Sequence, residues 1–441
     1  MSIKKSISFT FGAQIINTAI GFISSVIITR ILGTGGRGDN AIFSNAVAFS
    51  VLAFGFSISS TIPYFINSGK AKAEELLTTI VVFICGSTVL VYATLFLLER
   101  NGKLHWALPD SIQSMQFKLI FTGIYFVTLL SGILTSYLAA YKKFKEVSIC
   151  SIVFQALPTA VYILLYFDII PYDHRDPFTV VVIITSIVAL VSAVVITGLF
   201  VKLLPIRPVK KMIPLGLIRQ FIFFSSMAYF GNVAQFFNYK LDFWVVDEYC
   251  GKSQLGIYSL AAQLAQLLWM LPLAIATVLY SYAATVSRED AINYTIRLKQ
   301  IAFYGTLILA AVGLFLSYYF IPILYGKPFK EAFDLMKIFV IGVVPFSIPT
   351  VIASLFAARG NFKISFVVSG GVFIISTIMY FTLIPRFGLT GGAIASSIAY
   401  LIASIFAEIW FCKEYKVSYL ILFQIDRSML SVNRIRNMFK N

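Results

Sequence analysis

Lys240 and Asp242 stand two positions apart inside a long apolar stretch, and opposed charges in such a place imply chemistry. At 100° per residue an ideal helix sets them about 160° apart, so they do not pair with each other. Each therefore calls for another partner, a phosphate or an ion. An ionised side chain near the centre of a membrane helix costs about 2.5–3.5 kcal/mol on insertion scales, which makes it a functional candidate. Arg30 and Lys118 are further cations in apolar surroundings, both near expected helix ends, where a long side chain can equally snorkel. A cation facing a hydrated cavity would bind an anionic substrate group. Glu408, close to the end of the last apolar stretch, reads as interfacial.

Uncharged polar residues run in stripes beside these charges. Asn232, Gln235, Asn238, Tyr239 and Asp242 fall within an arc of about 120° on one helix. Ser259, Gln263 and Gln266 form a second stripe. Gln14, Asn17, Gly21, Ser24 and Ser25 form a third that ends at Arg30, with Asn40 and Asn45 following. Single serines and glycines are explained by helix–helix packing. Glutamines and asparagines stacked on one stripe indicate a hydrated cavity. Enzyme signatures are absent: there is no HExxH, GxSxG or P-loop, and no GxGxxG in a strand–helix setting. His105 and His174 fall in expected loops. Cys85, Cys150, Cys250 and Cys412 form no CxxC pair and read as packing residues.

The elements that position these residues follow from composition. Of 441 residues, 59% are hydrophobic and 12% charged, about half the charged share of a soluble chain, so this is an integral membrane protein. A spanning helix needs about 20 mostly apolar residues. Twelve such segments are expected, at 8–32, 40–66, 76–98, 116–140, 147–170, 177–204, 220–246, 255–284, 299–325, 333–358, 362–385 and 389–412. The apolar run behind Lys4 and Lys5 is too long for a signal peptide and is kept as the first helix. The formal charge of +16 would suggest nucleic acid in a soluble protein; here it means topology, and no nucleic-acid partner is expected. With the N-terminus inside, the inner loops and tail hold 23 Lys and Arg and the outer loops 10. Both termini are thus placed in the cytoplasm, with Arg288, Arg297 and Lys299 among the inner-loop cations. Residues 419–439 suit a helix lying on the anionic inner leaflet, with a solvated tail as the alternative. No outer loop has room for a catalytic domain. Pro345 and Pro349, one turn apart, should bend the tenth segment.

The chain also repeats itself. Residues 36–46 align without a gap on 251–261, with Gly36/Gly251, Ile42/Ile257, Ser44/Ser259 and Ala46/Ala261 identical and Arg37 replaced by Lys252. Residues 139–145 fall on 357–363 at nearly the same offset. Segments 1–6 therefore recur as 7–12 in the same orientation. This predicts an all-α fold of two pseudo-symmetric six-helix bundles: residues 1–204, a basic cytoplasmic linker 205–219, residues 220–412, and a basic tail 413–441. Such duplicated bundles suit alternating-access transport around a midplane site.

Residues 28–33 with 36–41 (Ile-Thr-Arg-Ile-Leu-Gly, Gly-Arg-Gly-Asp-Asn-Ala) look like the helix 1–2 signature of bacterial polysaccharide flippases. Residues 240–242 with 255–261 (Lys-Leu-Asp, Leu-Gly-Ile-Tyr-Ser-Leu-Ala) resemble their second signature. These proteins are oligosaccharide-lipid transporters of the multidrug/oligosaccharidyl-lipid/polysaccharide exporter superfamily. The resemblance implies a multi-pass inner-membrane protein, with no catalytic residues and no cofactor. It would translocate an undecaprenyl-pyrophosphate-linked sugar unit, as in O-antigen or lipopolysaccharide synthesis, coupled to Na⁺ or H⁺. It further implies Arg30, Arg37 and Lys240 as pyrophosphate ligands, Asn232, Gln235, Gln263 and Gln266 as sugar ligands, and Asp242 as the ion carrier. Lys118, Gln14 and Asn17 complete the expected cavity set. Implied partners are membrane lipids, the lipid-linked oligosaccharide, a polysaccharide polymerase and glycosyltransferases. The chain departs from the family pattern in lacking several arginines deep in the first two helices. The rival readings are a drug/cation antiporter of the same fold, which would favour buried acids, and a membrane glycan polymerase or ligase, which needs a large outer loop.

Overall fold

The computed structural model describes residues 3–172, 174–283, 286–359 and 363–418, and among them every regular element is helical. An apolar segment shielded from water must close its backbone hydrogen bonds on itself, which a helix does. The chain divides into two compact units, Met1–Phe236 and Phe237–Asn441.

In the first unit, α1 (Ile3–Gly55) contains one non-helical residue, Gly33 (φ 64°, ψ −166°), which separates the first two expected segments. That left-handed conformation costs glycine nothing sterically. In the aligned pair Gly36/Gly251 only Gly251 turns (φ 82°); the first copy turns three positions earlier, at Gly33. Phe56 and Ser57, with φ of 50° and 51°, then break the second segment before α2 (Ile58–Asn67). Left-handed backbone at non-glycine residues costs about 1–2 kcal/mol each, so the surrounding packing holds this break in place. α3 (Ala73–Arg100), α4 (Met115–Ala140), α5 (Phe144–Tyr166) and α6 (Pro177–Leu203) follow. α6 starts at a cap in which the Asp176 carboxylate accepts the Thr179 amide at 3.2 Å. α1 packs along α5, and α4 packs along α2 and α6. Their core places Phe43 edge-on to Phe121 and Phe178, at 5.7 and 6.3 Å between centroids. The basic connector after α6 lies along the start of α3. The Thr78 hydroxyl donates to the Val209 carbonyl at 2.8 Å, the Ile213 amide donates to Thr79 at 3.1 Å, and Ile206 and Ile213 are buried.

α7 (Leu215–Cys250) begins in the first unit and ends in the second. The second unit continues with α8 (Lys252–Leu267) and α9 (Met270–Ala283), bent by 41° at their junction. α10 (Arg288–Phe320) is capped by Ser287, whose hydroxyl accepts the Asp290 amide at 3.1 Å, and ends in a wide turn at Ile321–Tyr325. α11 (Ala332–Val343) and α12 (Ser347–Ala358) meet at a 41° bend around Pro345, as the proline pair predicts. α13 (Lys363–Tyr415) carries its own break at Gly388 (φ 57°). α9 packs on α12, and α11 packs between α8 and α13. The inner-leaflet helix expected at 419–439 lies outside the described residues.

Among the described residues, seven helices are long and apolar enough to cross a membrane, or nine if each bent pair is one span. Apolar length alone predicts twelve. Joining across Gly33 and Gly388 merges two pairs, and α7, with its stripe of amides and charges, falls short by composition.

The α11–α13 contact depends on one small residue. A Cβ on Gly342 would sit 2.5 Å from the Ser397 Cα, against backbone that cannot swing aside. Gly342→Ala should therefore destabilise the protein by about 1–3 kcal/mol, read as a lowered melting temperature in detergent. Gly313→Ala, whose nearest neighbour would be a methionine methyl at 3.8 Å, should leave that temperature unchanged.

Candidate functional site

In the first unit the α1 stripe faces α5. The Asn17 amide donates to the Ser151 hydroxyl at 2.9 Å, and its carbonyl oxygen is buried without a partner. Gln14 is exposed, whereas Ser24 and Ser25 further along are buried. Arg37 is 8% exposed, and one guanidinium nitrogen donates to Thr29 and, at 3.5 Å, to Ser25. Arg30 is exposed at the end of the first segment. Lys118 is buried on α4 and ion-paired with Glu99 at 2.5 Å. In this unit too, Asn232 of α7 is exposed and donates to the Ser57 hydroxyl at the α1–α2 break, at 3.2 Å. Gln235 is exposed one turn further on.

In the second unit Lys240 and Asp242 follow different partners, as their angular separation requires. Asp242 is 4% exposed. One carboxylate oxygen accepts the Tyr258 hydroxyl of α8 at 2.5 Å and the other the Phe243 amide at 3.1 Å. Tyr380 and Ser396 of α13 share a hydrogen bond at 3.1 Å in the same buried region. The Lys240 ammonium lies 4.5 Å from the centre of the Phe243 ring. Gln263 is exposed and Gln266 half-buried on α8. Lys252, the second-copy counterpart of Arg37, pairs with Asp247 at 2.5 Å. Among the described residues no three His, Cys, Asp or Glu side chains group as a metal site.

The structure corrects the reading of two charges. Lys299, expected in an inner loop, has no exposed surface and forms an ion pair with Glu408 of α13. Its ammonium also lies 4.6 Å from the Phe411 ring centre. Glu408 is therefore an internal acid; its second carboxylate oxygen is buried and unpartnered. A signal was present in the pattern: Thr295, Lys299, Ala302, Thr306 and Ala310 form one wholly buried stripe of small residues with a lysine in its midst. A lysine at that spacing belongs to a helix–helix contact. Tyr258, Ser151 and Thr29 were likewise missed, because hydroxyls on single helices carry no pairing signal.

The sequence profile of a family described as polysaccharide biosynthesis protein matches residues 3–287. No curated protein matches the chain. Among solved structures, the inward closed conformation of the lipid II flippase MurJ superposes with a TM-score of 0.76 at 17% identity, covering 99% of this chain and 93% of that one. The inward-facing conformation of a multidrug resistance MATE family transporter of the MOP superfamily gives 0.68 at 13% identity, covering 91% and 94%. A MOP superfamily transporter from Pyrococcus furiosus gives 0.62 at 13% identity, covering 96% and 97%. The chain thus has the MOP-transporter fold.

The Lys299–Glu408 pair lends itself to a thermodynamic cycle. Lys299→Met leaves a buried carboxylate without its counter-charge and should cost about 3–5 kcal/mol. The double variant Lys299→Met/Glu408→Leu should recover most of that loss. Thermal unfolding of the four proteins in detergent measures the coupling; additive effects would exclude a direct interaction.

Proposed function

This chain belongs to the polysaccharide biosynthesis protein family, and from that premise we propose that it is a flippase for a lipid-linked oligosaccharide. Its cargo is an undecaprenyl-pyrophosphate-linked repeat unit of an O-antigen or related polysaccharide. The cargo moves from the inner to the outer leaflet of the bacterial inner membrane by alternating access, and both termini are cytoplasmic. Twelve spans in two six-helix bundles remain the topology of this reading. Glycosyltransferases act before it and a polymerase after it.

The observation that carries the proposal is the placement of Lys240. Asp242 spends both carboxylate oxygens on Tyr258 and Phe243, and among the described residues the Lys240 ammonium has no hydrogen-bond partner. Its three N–H donors are left for an anionic head group, and Arg30 and Arg37 would supply further positive charge to the pyrophosphate. Asn232, Gln235, Gln263 and Gln266 offer amides to sugar hydroxyls. Asp242, the acid next to the head-group lysine, would carry the coupling H⁺ or Na⁺. A drug/cation antiporter has less support. The buried acids Asp242 and Glu408 each have a cation close by, Lys240 in sequence and Lys299 in an ion pair.

Deletion followed by a leaflet-resolved assay of lipid-linked glycans tests the reading. Glycans should accumulate on the inner leaflet; a drug-sensitivity phenotype without that accumulation would favour the antiporter. Lys240→Ala should abolish transport at normal expression, and intact sugar display in that variant would remove Lys240 from the site. Asp242→Asn should stop or uncouple transport. If dependence on pH and membrane potential is unchanged in that variant, Asp242 has no coupling role.

A further inference from the structure

α1 and α5 carry the same pattern of polar residues on the faces they turn to each other. Gln14, Asn17 and Gly21 on α1 and Ser148, Ser151 and Gln155 on α5 both fall at i, i+3, i+7, which on a helix is an arc of about 60°. The two stripes meet in register. Asn17 bonds Ser151 at 2.9 Å, and one turn on a Cβ at Gly21 would lie 3.5 Å from the Gln155 amide nitrogen. The Gln155 amide thus lies alongside the α1 backbone at Gly21.

This face is not the lipid face. The exposed apolar residues Ile15, Ile16 and Ile23 of α1, and Ile149, Val153 and Leu157 of α5, lie roughly opposite the polar stripe on each helix. Yet Gln14 and Ser151 are exposed on the polar side, so open space adjoins it there. The stripe is also under-satisfied. The Asn17 carbonyl oxygen is buried without a partner, and among the described residues the Gln14 and Gln155 amides have none. Unpaired amides within apolar helices are costly, and water or a solute must complete them. None of the six residues is charged, which disfavours phosphate or a cation. Primary amides and a hydroxyl, each offering donor and acceptor together, match a neutral polyol.

We propose that the α1–α5 seam is a glycan subsite, in which Ser151 and Gln155 join Gln14 and Asn17 in binding sugar hydroxyls of the transported unit. This rests on the flippase reading and adds α5 to the surfaces that select the cargo.

The test reconstitutes the full chain in liposomes with two probes: lipid-linked oligosaccharide extracted from the native host, and undecaprenyl pyrophosphate bearing no sugar. Gln155→Leu and Ser151→Ala should each slow flipping of the glycan-bearing lipid about tenfold, the equivalent of one good hydrogen bond, and leave the sugar-free lipid unaffected. Unchanged rates with both probes, or equal slowing of both, overturn the subsite; equal slowing marks a purely structural seam. If the wild-type protein flips neither probe, the flippase reading fails, and titration of the released oligosaccharide into detergent-solubilised protein decides the subsite alone. Binding weakened by Gln155→Leu upholds it, and equal binding by the two proteins overturns it.

Discussion

A polar group inside an apolar helix bundle has to find its partner within the protein, because no solvent is there to supply one. Both units are organised around that requirement. Lys299 takes Glu408, Lys118 takes Glu99, and Asp242 takes the Tyr258 hydroxyl. Arg37 draws on the hydroxyls of Thr29 and Ser25. Each contact ties together segments that hydrophobic packing alone would hold in no particular register. A buried charge stripped of its partner costs several kcal/mol, so a helix that slides by one turn loses more than it gains. Once these demands are met, the groups left over become informative. Among the described residues these include the Lys240 ammonium and the amides of Gln14 and Gln155, on which the proposals for a solute rest.

Helix breaks recur at matching places in the two copies. The second segment of the first copy breaks at Phe56 and Ser57, and the second segment of the other copy bends after Leu267, at similar distances beyond the aligned Gly36 and Gly251. In the second unit, Trp269 at that bend packs 5.5 Å from Phe346 at the α11–α12 bend. Tyr239 and Tyr400 close the cluster at 5.0 and 5.6 Å from Trp269. Tyr239 belongs to the polar stripe of α7 and directly precedes Lys240, so the cluster holds the backbone beside that lysine. Aromatic rings at a bend fill the irregular space that straight helices would not leave.

Much of this architecture was legible in the sequence, and the exceptions share a cause. Apolar length located the helical segments, the proline pair located the α11–α12 bend, and the 160° offset indicated that Lys240 and Asp242 do not pair. Asp242 nevertheless takes a tyrosine hydroxyl where a phosphate or an ion is expected. What escaped was pairing between helices. The expected apolar stretch starts only at Lys299, whereas α10 begins eleven residues earlier at Arg288, and only α13 beside it makes Glu408 the lysine's partner. Ser151 and Gln155 were invisible for the same reason. α5 reads as a plain apolar helix until Asn17 is brought against it. The left-handed turn of the first copy at Gly33, in place of the aligned Gly36, shows a further limit: in a glycine-rich run the backbone has several equally permissive sites, and packing chooses among them.

The chain's +16 charge bears on its cargo only after the paired and topological cations are set aside. Lys118 and Lys299 are neutralised inside their units, and Lys252 is held by Asp247. The Asp242 carboxylate accepts from Tyr258 and Phe243, and among the described residues the Lys240 ammonium has no hydrogen-bond partner. The cargo of the flippase proposal has one anionic end and a long neutral, hydroxyl-rich remainder. On that proposal, Lys240 of the second unit suits the anionic end, and the uncharged amides along the α1–α5 seam of the first unit suit the neutral remainder. A hydrophobic cation would gain nothing from an ammonium that lacks a hydrogen-bond partner, whereas an anionic group would complete it.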